Sequence, residues 1–488
     1  MTPFDGALPT SARYPGPARN GTAAVVHGDQ ALPPGLVSAT TRRLLAGWLG
    51  LAVGSLVVAG LFAAVAAFAR TPVVYRLFSA RAFQLALVGH VTFAFTVWFV
   101  AFSGALWVYV AWRANYALSA GWSWAGLGVA TAGTALLAAP AFSGVGEPYL
   151  SDYVPAIDHP LFWVGLTLTL LGVGVQAVAY LVASGLGRRP SRSAGGRGGT
   201  ETPEALAMAV GALAMLLALG VTAVSLARLH AGLPFGYRLR VLFWGPGHLL
   251  QFLHVVGTIA AWLVSAAVAV GVAPPPRRVV RACLWGLLPF LLATAALYLA
   301  YAPEALLTNH LVTIATFWGV GAGTIPIGLM LATGWRRSGR PGGLPWGSPV
   351  FSGMALSLGL FAVGGVLGIV GFNQDTRVPA HYHGMVGAVT LAYMGLAPLL
   401  LEISGRRLWS ARVARWQPYL YGLGLLGIMA GMHWAGGHGA PRKTFGFTWA
   451  NAQALLAMNL MGLGSLLAIL GGLAFVLNVG IPLVRRGR

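Results

Sequence analysis

"VPAHYHGMVG" occupies residues 378–387 and leads into "AVTLAYMGLAPLLLE" at 388–402, a run that is almost wholly apolar. A stretch of about 20 such residues is long enough to cross a membrane as a helix. A polar side chain in hydrocarbon is costly without a partner, so His381 and His383 at the mouth of this helix are candidates for function. Successive helical residues turn by about 100°, which puts positions i and i+2 about 200° apart. The two rings therefore face opposite sides of one helix and cannot share a mononuclear metal. Each can hold something different.

Composition sets the solvent around that helix. Of 488 residues 57% are hydrophobic and 8% charged, 68 are glycine, and the mean hydropathy is +0.74. This describes an all-α polytopic membrane protein with lipid as its surroundings. Cys283 is the one cysteine, which excludes an intrachain disulfide, a thiolate metal cluster and a C-x-x-C-H heme attachment motif. The net charge of +21 does not call for a nucleic-acid partner, because 30 of the 31 basic residues are arginines, most of them in short loops. Positive-inside topology accounts for them.

Apolar runs predict twelve spans, at 44–69, 83–112, 123–143, 161–185, 204–227, 241–272, 282–302, 311–334, 348–372, 381–402, 417–435 and 450–483. Residues 1–42 are rich in Pro, Gly and Ala and lack an apolar signal-peptide core, so they are expected to be a disordered tail ahead of a membrane domain at 43–488. With the tail inside the cell, 20 of the 29 basic residues after position 36 fall on the cytoplasmic side. Both termini are then cytoplasmic and the chain is a multi-pass protein of the cell membrane.

That topology gathers histidines. Spans 2, 6 and 10 run inward, so His90, His248, His381 and His383 lie in the outer part of the membrane. His310, between spans 7 and 8, joins them. A single histidine near an interface is ordinarily hydrogen-bonded or snorkelling; five from four chain regions in one layer suggest a bound group. His27, His159 and His230 read as structural. His254, six residues after His248, points about 120° away from it and reads as packing or support.

These residues resemble the catalytic subunit I of the heme-copper oxidase superfamily. The similarity extends to "GHVTFAFTVWFVAFSGALW" at 89–107, "FWGPGHLLQF" at 243–252 and "HGAPRKTFGFTWANAQALLAMNLMGLGSLLAILGG" at 438–472. It implies a bundle of about twelve transmembrane helices, two noncovalent hemes expected to be b-type, and one nonheme metal. By this resemblance His90 and His383 would ligate a low-spin heme, His381 a high-spin heme, and His248 and His310 the nonheme metal. Arg442 and Lys443 would meet heme propionates, the alternative being ordinary loop charge.

Departures from the family pattern bear on the reaction. The family's adjacent histidines after helix 7 are here Asn309 and His310, so Asn309 either ligates the metal or caps a helix. Gln251, three residues after His248, shares its helix face and could complete the site. Oxygen donors in place of imidazole shift preference toward harder metals, which favours iron over copper. The tyrosine that many oxygen reductases carry four residues after the helix 6 histidine is Phe252 here, with Tyr298 and Tyr301 available on helix 7. Asp and Glu total ten, which argues against proton pumping through carboxylates. Glu304, six residues before His310, could deliver protons from outside, or could do nothing specific.

The expected activity is reduction of nitric oxide to nitrous oxide by a respiratory oxidoreductase. Dioxygen reduction to water is the alternative, and a non-catalytic heme-binding transport or sensor protein is a third reading. Electrons would come from a separate subunit, cytochrome c, another redox protein or quinol.

Overall fold

The computed structural model describes residues 37–185, 202–230, 232–269, 275–337, 343–370 and 375–485. Among them twelve helical rods follow one another: α1 (Ala39–Phe68), α2 (Ala80–Arg113), α3 (Ala120–Ser143), α4 (Pro160–Ser184), α5 (Pro203–Arg228), α6 (Phe235–Ala269), α7 (Arg277–Ala300), α8 (Leu306–Arg337), α9 (Pro349–Ile369), α10 (Arg377–Ile403), α11 (Ala411–Gly437) and α12 (Ala452–Val484). Eleven are long and apolar enough to cross a membrane; the other, α11, opens on Arg412 and Arg415. Every expected span is a helix. The first starts earlier than expected, at Ala39, because Ser38 accepts from the Thr41 N–H and caps it. The rest of the expected tail, 1–36, lies outside the described residues.

Two rods form the centre. In α6 and α10 the most apolar stretches are 83% and 89% buried, against 33% in α1 and α7. Hydrophobicity cannot hold helices together in lipid, so close backbone packing has to. The α9–α10 pair shows how: a Cβ on Gly384 would lie 2.5 Å from the Gly364 Cα, a contact that only glycine permits. Gly464 in α12 similarly meets the backbone of α11, its Cβ position 2.5 Å from the Ile428 nitrogen.

Three local features shape the end of the bundle where the histidines lie. In α2, about three turns of ordinary helix end in a π-helical turn, Thr92–Val97, that begins two residues after His90. Such turns shift the faces of a helix and are frequent at functional sites. Between α3 and α4, β1 (Glu147–Tyr149) pairs antiparallel with β2 (Ala156–Asp158), and the hairpin loop hangs over this end. Asp375, just before α10, accepts from the Arg377 backbone N–H at 2.8 Å and pairs with its guanidinium at 2.7 Å, fixing the start of the helix that carries His381 and His383.

Candidate heme and metal site

His90, His248, His381 and His383 lie on the core rods α2, α6 and α10, all on the half of each helix that starts at one end of the bundle. Their ring orientations are set by carbonyls. His90 Nδ1 meets the Ala59 carbonyl at 3.2 Å, His383 Nδ1 the Pro379 carbonyl at 2.7 Å, and His381 Nδ1 the Gly364 carbonyl at 2.7 Å. A carbonyl can only accept, so in each neutral ring Nδ1 carries the proton and Nε2 keeps its lone pair. His383 is bonded back along its own helix, whereas His381 is turned toward α9. A Cβ on Gly368 would lie 2.6 Å from the His381 ring, so the absence of that side chain makes room for it. The opposite facing expected from the i, i+2 spacing is therefore what α10 presents, and His90 lies close enough to His383 for the two to interact electrostatically.

His248 is in a different setting. It is buried, and its Nδ1 donates to the Trp244 carbonyl at 2.7 Å. Its Nε2 is 2.9 Å from the Tyr153 hydroxyl, which in turn accepts from Gln251 Nε2 at 3.1 Å. Burial holds the Tyr153 phenol well above its usual range, so the hydroxyl is protonated and donates to the histidine. Gln251 thus shares the His248 face as its spacing predicts. Tyr153 had no sequence signal: it is in the hairpin loop, 95 residues from His248.

Asn309 and His310 come together with Trp244, Leu306 and Leu307 around a cleft of about 580 Å3. Asn309 is the fourth residue of α8, inside the helix, so it is not a cap. Its carbonyl accepts from Trp244 Nε1 at 3.2 Å, while its side-chain Oδ1 is buried with no hydrogen-bond partner. His310 is exposed. Glu304 pairs with His230 at 2.5 Å and its backbone carbonyl accepts from the Tyr237 hydroxyl. Tyr298 is buried with its ring against Gly245 and its hydroxyl unpartnered; Tyr301 is 43% exposed.

Arg442 and Lys443 both engage Asp152, at 3.4 and 2.6 Å, and Lys443 also donates to the Leu150 carbonyl at 2.7 Å. Burial alone would raise the Asp152 carboxyl, but the two cations more than offset it and hold the group below the usual carboxylate range. Arg70, another residue that sequence reasoning passed over, bonds the same segment through the Pro441 carbonyl at 3.1 Å and Thr444 Oγ1 at 3.0 Å. Of the histidines read as structural, His159 accepts from the Leu161 N–H at the start of α4. His254 is buried between Phe95 and Phe99, at centroid distances of 5.4 and 4.8 Å, with neither ring nitrogen hydrogen-bonded.

Comparison with solved structures gives a heme-copper terminal oxidase dimer with a TM-score of 0.75 and 20% identity, covering 92% of this chain and 85% of that one. A cytochrome c oxidase subunit 1 sequence from Thermus thermophilus is 37% identical over 105 residues, 19% of this chain and 97% of that sequence. The chain belongs to the heme-copper oxidase superfamily, as a subunit I type protein. A longer subunit 1 of the same organism is 36% identical over 124 residues, 23% of this chain and 21% of that protein. An uncharacterized protein of Aquifex aeolicus is 27% identical over 367 residues, 73% of this chain and 84% of its own length. No family model matches.

A heme-copper oxidase fold implies hemes and a metal centre, and the donors can be tested against them. His90, His381 and His383, each with Nδ1 engaged by a carbonyl, have the tautomer that axial iron ligation through Nε2 needs. His248 has it too, with the Tyr153 hydroxyl on its Nε2 and Gln251 donating to that hydroxyl. Among the described residues no three His, Cys, Asp or Glu side chains form a metal-binding group.

Proposed function

We propose that this protein is the catalytic subunit of a respiratory membrane enzyme that reduces nitric oxide to nitrous oxide. His90 and His383 hold a low-spin heme, His381 a high-spin heme, and His248, with His310 and Asn309, a nonheme metal, for which iron is favoured over copper. The hemes, expected to be b-type, would supply electron transfer and, with the nonheme metal, a binding place for a diatomic molecule. Two nitric oxide molecules, two electrons and two protons give one nitrous oxide and one water.

The observation that carries this reading is the company of His248. Its polar neighbour is the hydroxyl oxygen of Tyr153, held in turn by the Gln251 amide nitrogen, with Phe252 next along the helix, and an oxygen donor is harder than imidazole and suits iron more than copper. Asn309 supports it with a buried, unpartnered amide oxygen beside Trp244, one helical turn from His248. Glu304, half buried beside His230, would pass protons from the outer face, and both termini would be cytoplasmic. Arg442 and Lys443 remain candidates for propionates in addition to their bonds to Asp152. Electrons would arrive from a separate subunit, cytochrome c, another redox protein or quinol.

Dioxygen reduction is the second reading, and Tyr153 favours it. A phenol bonded to an imidazole can give up an electron while its proton passes to the ring, which is the donor that Phe252 fails to provide. The relatives called cytochrome c oxidase subunit 1 point the same way. Anaerobic turnover with nitric oxide, compared with oxygen consumption under the same electron donor, separates the two.

A further inference from the structure

We propose that Tyr153 is an oxygen ligand of the nonheme metal, its phenolate oxygen and His248 Nε2 holding the ion together. The proposal rests on the reading of His248 as a ligand of that metal. It adds a donor from the α3–α4 loop to a site otherwise built on helices.

The hydrogen-bond directions are fully determined. Trp244 takes the His248 Nδ1 proton, so Nε2 offers its lone pair; Tyr153 points its O–H at that lone pair from 2.9 Å; Gln251 donates to the same phenol oxygen from 3.1 Å. One proton lies between an oxygen and a nitrogen that are both good metal donors. Ligands at about 2.1 Å from a first-row ion and about 90° apart are about 3.0 Å from each other. The observed 2.9 Å is an ordinary hydrogen-bond length that also matches the spacing of two adjacent donors on one ion, so the pair could take a metal with little movement. Binding replaces the shared proton: the O–H bond breaks, oxygen and nitrogen each bond the metal, the proton leaves to water, and no electron moves. The Gln251 N–H then faces a negative oxygen, which strengthens its bond.

The backbone supports the assignment independently. Tyr153 has φ +62°, a left-handed conformation that bulky residues rarely adopt, and the Val154 N–H closes a three-residue turn on the Asp152 carbonyl at 2.8 Å. That strain is held in place from outside the loop. Lys443 and Arg442 grip Asp152, and Gly247 leaves open the space that the ring fills, since a Cβ there would lie 2.5 Å from it. Strained residues maintained in this way cluster at functional sites.

Resonance Raman spectra of the oxidised, iron-loaded full-length protein, made with ring-deuterated tyrosine, test the ligand directly. Tyrosinate modes that shift with the label, and that vanish in Tyr153→Phe, are expected. Iron retention in Tyr153→Phe after dialysis against a chelator should fall about 10–100-fold with both hemes kept. Absence of label-sensitive tyrosinate modes overturns the assignment, whatever Tyr153→Phe retains. His248→Ala serves as the reference: full iron retention in that variant refutes the reading of His248 itself, a result distinct from failure of Tyr153.

Discussion

His381 and His383 show what two residues can specify when a helix carries them into a bundle. One is bonded to its own rod and one to the neighbouring rod, and in both the Nδ1 proton goes to a carbonyl. Replacing His90 or His383 with alanine should abolish a six-coordinate heme spectrum while a five-coordinate heme still binds carbon monoxide, because a low-spin heme needs two axial ligands. An unchanged six-coordinate spectrum in either variant would refute the pairing. These histidines were legible in the sequence because helical periodicity governs them. Tyr153 was not, since the turn that aims it depends on Lys443 and Arg442, about 290 residues away. Lys443→Met should accordingly lower nonheme-metal retention and leave both heme spectra in place, at a cost on the order of 1–3 kcal/mol for the stranded Asp152. A shifted heme potential with normal metal retention would instead assign Lys443 to a propionate.

At the scale of elements, the α9–α10 contact does the positioning. Gly364 approaches Gly384 at backbone distance and its carbonyl takes the His381 proton, so helix packing and ring orientation are one feature. Gly384→Leu should force the rods apart, costing about 1–3 kcal/mol, and should lower heme occupancy together with the thermal midpoint in detergent. Gly359→Leu on the facing rod, α9, is the control, because a Cβ there meets nothing within 4 Å. Equal behaviour of the two variants would remove the glycine contact from the account. Apolar run length located all twelve rods. It could not show the π-helical turn after His90, whose residues are as apolar as the helix around them, nor the start of α1, which a serine cap decides.

For the whole molecule, the order of the helices brings histidines from α2, α6 and α10 into one layer, and that much followed from span counting and charge asymmetry. What the layer surrounds depended on loops. The expected pair after the seventh rod is split in character, with Asn309 holding a buried amide oxygen and His310 exposed, while the unexpected loop tyrosine reaches His248. A metal with phenol and amide oxygens suits iron and the joining of two nitric oxide molecules. The most direct test is anaerobic turnover of the reduced, metal-analysed protein with nitric oxide, set against its oxygen consumption with the same donor. Nitrous oxide formed many times faster than oxygen is consumed, without acidification of the outer medium, is the predicted result; rapid oxygen consumption with outward proton release and slow nitric oxide turnover would contradict it.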